Sequence, residues 1–600
     1  PKLIANNIER QQNVINKERG LRVFGALGLQ YEIIKGLNVK NNFGVDMYVN
    51  SRLYEIKANS YSGTLVSPSN SGIHQEAMIN AAQIVNTTSL TYTNIFADKH
   101  EVDGGIYFEA LKVNNNGFGY TLYNLDKRLE ETGQGAGALP VTMGQTTYNQ
   151  SGTGAKSVYG IRSYFGTAKY TYADKYTFNV NLRQDGTSRI LNEKNKEIFT
   201  WSTGLIWNAI NESFLSSQNI VTDLKVRATY GEVPNIGSIA TSSYGVGLYS
   251  VPNYLGPQLP SFSTSTAFAG SVLPGLIPST PGNPELKIET VKKYNAGFDV
   301  SLWDRVSLIV DFYKNVTVDL FVSQRLSATT GFGATNLNIN AGQMSNKGVE
   351  ITLDGTIYKK GDFSVQGNWN HAINSNNIDD LGQVDEYVAG TFIIRKGMPY
   401  GSHYTYDYVG ADPATGMPTY RQNNGELIVQ NSLAGVDQKA TFGTFLPKHT
   451  GGFSFSANYK GISLGTLFTY QFDVSRYNNT WNWITAGYPG YLNAVNQSAV
   501  MLTEQWMQPG DQKYYASPAA TRQFTSADVM DAKFLRWREL TLSYTLPKIK
   551  GFTEVRVYAR GQNLKIWSPW RGLDPEDNNN ISLHEYPNPK MYVFGLDLSF

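Results

Sequence analysis

The sequence predicts an all-β protein, a transmembrane antiparallel β-barrel with short periplasmic turns and long extracellular loops. Three observations carry that prediction. Alternating segments recur in pairs joined by tight turns, long polar stretches separate the pairs, and the chain ends Tyr592-Val593-Phe594-Gly595-Leu596-Asp597-Leu598-Ser599-Phe600. Successive strand side chains face opposite ways, so Tyr592, Phe594, Leu596, Leu598 and Phe600 share one face, suited to lipid, and Val593, Gly595, Asp597 and Ser599 the other, suited to water. A greasy strand of this kind is an aggregation hazard at a free edge and is at home in a membrane wall. A terminal strand tucked into a sandwich core is the alternative for this segment alone.

The composition narrows the choice. The chain has 13% aromatic residues, with 38 Tyr and 28 Phe, 57 Gly, only 17% charged residues and no Cys, which favours strands and turns over helices. Six hundred residues exceed a single soluble core of roughly 250 to 300, a limit that a lipid-covered wall escapes. No apolar run approaches the ~18 residues of a transmembrane helix, and mean hydropathy is −0.33, as alternating barrel strands would average. Zero Cys excludes disulfides and thiol chemistry, and a net charge of +2 gives no case for nucleic acid.

The pairs follow in order. Residues 20–34 and 37–56 flank Lys35-Gly36, 89–97 and 101–113 flank Asp98-Lys99-His100, 161–172 and 176–186 flank Ala173-Asp174-Lys175, and 199–208 and 221–231 flank a longer turn. Further pairs turn at Asp304-Arg305, Lys360-Gly361, Lys460-Gly461 and Ile549-Lys550-Gly551. Gly, Asp and Asn tolerate the positive φ that short hairpins need. Between pairs lie polar loops at 57–88, 114–160, 232–282, 323–345, 375–447, 474–531 and 568–588. Strict alternation of short turns with long loops is the asymmetry of a membrane barrel.

Strand parity agrees. Leu540, Leu542, Tyr544 and Leu546 alternate with hydroxylated residues, and Phe453, Phe455, Ala457 and Tyr459 with polar ones. Tyr170, Tyr172, Tyr176, Tyr459 and Tyr544 sit near turns, where an interfacial girdle lies. Arg536 and Arg538 share the parity of Leu540 and Leu542, which places them on the outer rim against lipopolysaccharide phosphates or in solvent above it. Eight hairpins and a last strand give about 17 strands, an odd number where single-chain bacterial barrels are even. Residues 1–600 therefore read as the C-terminal part of one barrel, with first strands and a plug expected upstream.

Several segments resemble the SusC/RagA family of TonB-dependent outer-membrane transporters of Bacteroidetes. They are Asn283-Pro284-Glu285-Leu286-Lys287-Ile288-Glu289 followed by Tyr294-Asn295-Ala296-Gly297-Phe298-Asp299, Asn346-Lys347-Gly348-Val349-Glu350, Tyr170 to Tyr176 with Leu182 to Arg189, Gly561-Gln562-Asn563-Leu564, Gly572-Leu573-Asp574-Pro575-Glu576 and the terminal Phe600. The resemblance implies a 22-stranded barrel around a plug, wide enough to need one, a SusD-like lipoprotein lid on the extracellular loops, energy from TonB, and Tyr592 to Phe600 as the signal read by the assembly machinery.

Chemistry is sparse. The six histidines, His74, His100, His371, His403, His449 and His584, stand singly, without a zinc-type or triad spacing. Asp379-Asp380 and Asp574-Pro575-Glu576-Asp577 lack the ligand spacing of a calcium loop and read as solvated loop charge. No catalytic residue, cofactor or metal is assigned. Trp481 and Trp483, with Tyr477, Tyr488 and Tyr491, are the candidate contacts for substrate or lid, because loop aromatics supply rigid apolar area with a polar handle; packing of the loop itself is the other reading. The expected function is TonB-dependent import of a bulky glycan or peptide fragment, with a passive porin and a soluble all-β glycan-binding protein as alternatives.

Overall fold

A computed structural model of the chain describes residues 7–66, 72–126, 128–133, 141–143, 146–148, 150–215, 218–235, 242–265, 275–332, 336–486, 496–576, 579–582 and 585–600. Seventeen strands form one sheet. They are β1 (Val14–Ile34), β2 (Leu37–Ile56), β3 (Ile73–Phe96), β4 (His100–Tyr123), β5 (Ser151–Tyr172), β6 (Tyr176–Thr187), β7 (Glu197–Asn208), β8 (Val221–Asn235), β9 (Glu289–Leu302), β10 (Val306–Arg325), β11 (Asn336–Lys360), β12 (Phe363–Leu381), β13 (His449–Tyr459), β14 (Ile462–Phe472), β15 (Phe534–Thr545), β16 (Glu554–Trp567) and β17 (Met591–Ser599). Each pairs antiparallel with its neighbours in sequence. Among the described residues, β1 and β17 are the two edges of the wall.

The hairpin turns fall where the sequence places them. Asp98, Asp174 and Asp304 adopt φ of 54 to 57°, each preceded by another positive-φ residue, and Gly36 and Gly361 lie at 83° and 54°. These are the left-handed values that two-residue hairpins demand. The upper strand ends differ from expectation. The loops expected at 57–88 and 114–160 contain strand from Ile73, to Tyr123 and from Ser151. Asn114, Asn115 and Asn116 continue the ladder against Val158, Ser157 and Lys156. Above the membrane both faces are wet, so the ladder persists after the alternation has gone.

Through most of the wall one face is apolar and exposed, with Ile106, Leu205, Phe312, Leu542 and Phe594 on it. Tyr170, Tyr172, Tyr176, Tyr459 and Tyr544 are exposed beside the turns, forming the lower girdle. The other face is polar and hydrogen-bonded. Asn368 donates to Asp354 at 2.7 Å, Tyr313 to Asn374 at 2.8 Å, and Arg227 bridges Asp299 at 3.0 Å and Asp311 at 2.7 Å. No helix among the described residues is long and apolar enough to cross a membrane, so the crossing is made by strands.

The parity of Arg536 and Arg538 is corrected by a β-bulge. On β14, Leu467 faces Glu539 and the next residue, Phe468, faces Trp537, leaving Arg538 as an extra residue in β15. One extra residue exchanges the two faces of a strand. Leu540, Leu542 and Tyr544 therefore belong to the outward row below the bulge and Trp537 and Leu535 to it above, with Trp537 stacked on Phe468 at 5.8 Å. Arg536 turns inward and is only 3% exposed.

Candidate functional site at the barrel mouth

Three loops on the side opposite the hairpin turns, 382–448 after β12, 473–533 after β14 and 568–590 after β16, fold into one body. The short strand Ser475–Asn478 pairs antiparallel with Val529–Asp531 of its own loop and parallel with Ile581–Ser582 of the third. The first loop joins through Tyr408, whose backbone N–H donates to Ser526 Oγ at 2.9 Å, and through Thr391, which accepts from Asn580 at 2.6 Å. Trp506 donates to the Pro413 carbonyl at 3.0 Å and its ring covers Gly416.

The predicted aromatic contacts divide. Tyr477 is 1% exposed, stacked on Phe524 at 4.7 Å and edge-on to His403 at 5.0 Å. Trp481 is buried in the short helix Asn479–Ile484, donates its Nε1–H to the Tyr515 hydroxyl at 2.8 Å and lies under the Arg571 guanidinium at 5.4 Å. Asn478 caps that helix by accepting from the Trp481 backbone N–H at 2.9 Å. An exposed binding role for Tyr477 and Trp481 is thus corrected: both pack the body from inside. Trp483, on the opposite side of the helix, keeps 37% of its surface exposed. Tyr488 and Tyr491 lie outside the described residues.

Charge inside the body is paired. Arg522 meets the fully buried Asp528 at 2.5 Å, and Asn482 donates to the same carboxylate at 3.1 Å. His403 is buried with Nε2 2.8 Å from the Ser475 carbonyl, so that nitrogen carries the proton. Nδ1 has no hydrogen-bond partner among the described residues. Burial, with Arg476 nearby, holds the imidazole below its ordinary value of 6.5 and keeps it neutral.

In the acidic motif after β16, Asp574 and Glu576 are not solvated charge, and Asp577 lies outside the described residues. Asp574 pairs with Arg536, and Glu576 pairs with Arg536 at 2.8 Å and Arg538 at 2.5 Å. Asp574 also accepts from the backbone N–H of Glu576 and of Asn588, each at 3.0 Å. The third loop is therefore clamped to the inward face of β15 by the two arginines that the bulge turns inward. Asp379 of the other acidic pair accepts from Ser345 at 3.0 Å and Asn377 at 2.6 Å, and Asp380 meets Lys396 at 3.4 Å. Between the body and the upper ends of β12 to β15 lies a cavity of about 690 Å³, lined by Asn374, Asn376, Phe442, Asp473, Ser475 and Met530 among others.

The wall is thus polar within and apolar without, and a fused loop body crowns one side of it. The family model described as TonB dependent receptor-like, beta-barrel matches residues 6–564. The chain belongs to that family. The family places it in the outer membrane, as the exposed apolar wall requires. TonB-dependent receptor P3 of Formosa agariphila is 28% identical over 95% of the chain and 57% of its own length. TonB-dependent receptor SusC of Bacteroides thetaiotaomicron is 27% identical over 70% of the chain and 42% of its own. The RagAB peptide transporter superposes with a TM-score of 0.82 at 24% identity, covering 98% of the chain and 63% of the solved one. The chain thus spans about three fifths or less of each of these relatives.

Some features of the family member's mouth have no signal in the sequence. Leu502, Met507 and Tyr586 are 88%, 67% and 99% exposed on the loop body. They sit in stretches without periodicity, and only the folding of the three loops together shows that their side chains find no cover among the described residues.

Proposed function

We propose that this chain is the barrel wall of a TonB-dependent importer that takes a bulky nutrient, a glycan or peptide fragment, across the outer membrane together with a SusD-like surface lipoprotein. The observation that carries the reading is the fused loop body above a polar-lined wall. Three loops knitted by strand pairing and buried ion pairs make a preformed platform, and a preformed surface costs a partner little ordering entropy. Its exposed Leu502, Met507, Tyr586 and Trp483 are the apolar and aromatic residue types that anchor interfaces. Family membership supports TonB as the source of energy.

The test is uptake of labelled oligosaccharides and oligopeptides in cells carrying the whole gene, with and without TonB. The reading expects uptake of one class that stops without TonB. Uptake that survives loss of TonB marks a passive porin instead.

A further inference from the structure

On the outward face of β10 and β11, Lys314 and Lys347 stand directly opposite each other in register. Opposed residues of an antiparallel pair have Cβ atoms about 5 Å apart, and like charges at that distance are destabilising. Both side chains are exposed, and neither forms an ion pair with any described residue. Two other outward cations are answered: Arg162 meets Glu197 at 2.9 Å, and Lys292 faces Glu232 across β8 and β9. Asp379, higher on the same face of β12, is occupied by Ser345 and Asn377.

The height of the pair is set by the wall. Lys314 lies eleven residues above the exposed Trp303 of its hairpin turn, and Lys347 eleven above the exposed Tyr358. At about 3.3 Å per residue and a tilt of about 40° this is about 28 Å, just beyond an apolar band of about 25 Å. The upper aromatic girdle runs into the same row. Trp201 meets Tyr230 at 5.0 Å, Tyr230 meets Tyr294 at 4.8 Å, and Tyr294 faces Lys314. One step down, Phe312 pairs with Val349, and Val349 with Ile373, a purely apolar tier. Two uncompensated ammonium groups thus sit at headgroup height, on the side of the loops, directly above an acyl-compatible surface.

We propose that Lys314 and Lys347 bind the phosphate of an acylated, phosphorylated glycolipid of the outer leaflet, whose chains lie on Phe312, Val349 and Ile373. The phosphate supplies the countercharge that this pair lacks, and Ser375, opposite Lys347, adds a hydroxyl at the same height. The assignment rests on the membrane wall and is independent of what the protein imports.

The test uses the intact protein purified in mild detergent, with lipid A as the probe and native mass spectrometry as the readout. At about 1 kcal/mol for each lysine near an anionic surface, with 1.4 kcal/mol per tenfold, the double substitution Lys314→Gln/Lys347→Gln should weaken lipid A binding about 30-fold. Lys314→Arg/Lys347→Arg should retain it, and dephosphorylated lipid A should bind the wild type as weakly as lipid A binds the Gln variant. Equal occupancy in the Gln variant, loss in the Arg variant, or no discrimination between the two lipids overturns the assignment. Displacement by excess inorganic phosphate alone also overturns it, by reducing the pair to a free-anion site. Heat-modifiable migration of both variants reports that the wall is intact.

Discussion

Replacing Arg536 by Ala should release the third loop from the wall without unfolding the barrel. Arg536 is 3% exposed and is the cation shared by Asp574, itself 10% exposed, and Glu576. Removing one partner of a buried ion pair leaves the other charge uncompensated and costs roughly 3 to 5 kcal/mol. The barrel wall is held by backbone ladders to β14 and β16 that the side chain does not touch, so the cost falls on the opening of residues 568–590. At the lower figure of about 3 kcal/mol, and 1.4 kcal/mol per tenfold, the open population rises about a hundredfold. Two amides report it directly, because the Glu576 and Asn588 N–H groups are bonded to the Asp574 carboxylate. Hydrogen exchange at these positions should accelerate about a hundredfold, while exchange in β14 to β16 stays as in the wild type. Arg538→Ala should accelerate it much less, since Arg538 is 28% exposed and water shares its charge. If exchange at Glu576 and Asn588 changes by less than about threefold in Arg536→Ala, the clamp is not what holds the loop and the reasoning fails.

Other expectations follow from the same body. Trp481→Ala should destabilise the loop body by roughly 3 kcal/mol or more by opening a cavity and stranding the Tyr515 hydroxyl, whereas Trp483→Ala should leave its protease resistance unchanged and weaken binding of the proposed SusD-like lipoprotein; the reverse pattern would exchange their roles. His403 has a depressed folded-state value, so its contribution is present above 6.5 and is lost as pH falls from there toward that lower value. Thermal scans of the loop body should thus show a midpoint that drops below pH 6.5, and His403→Gln should flatten that drop; an unchanged slope would remove His403 as its source. Deleting Phe600 should reduce the amount of heat-modifiable protein in the outer membrane more than it reduces uptake per assembled molecule, and normal assembled levels would refute a role for the terminal strand in insertion.

The wall was legible because lipid imposes a rule on every second side chain and tight turns impose one on φ. Tyr592 to Phe600 follows the first rule, with Phe594 82% and Leu596 57% exposed on the predicted face. Where the rule lapses, the reading lapses with it. Asn114 to Asn116 form a ladder in water, where no alternation is enforced. Arg536 was assigned the wrong face because a bulge has no residue signature of its own, yet it inverts everything beyond it. Tyr477 and Trp481 became core rather than surface because their cover comes from Phe524, Tyr515 and Arg571, remote in sequence or on another loop. The Asp574 and Glu576 carboxylates needed those same inverted arginines before their purpose could be read.

The fusion of the three loops also constrains how the mouth can diversify. Strand pairing between 475–478 and 581–582, the bond from Asn580 to Thr391 and the seat of Trp506 over Gly416 make each loop part of the others' interior. The three loops therefore cannot be exchanged one at a time. A chimera that imports a single loop from a relative inherits mismatched interiors on two sides, whereas one that transfers 382–448, 473–533 and 568–590 together, with Arg536 and Arg538, carries a closed set. On the proposed reading of this body as the binding platform, its unit of inheritance is a discontinuous module spread over about two hundred residues of chain.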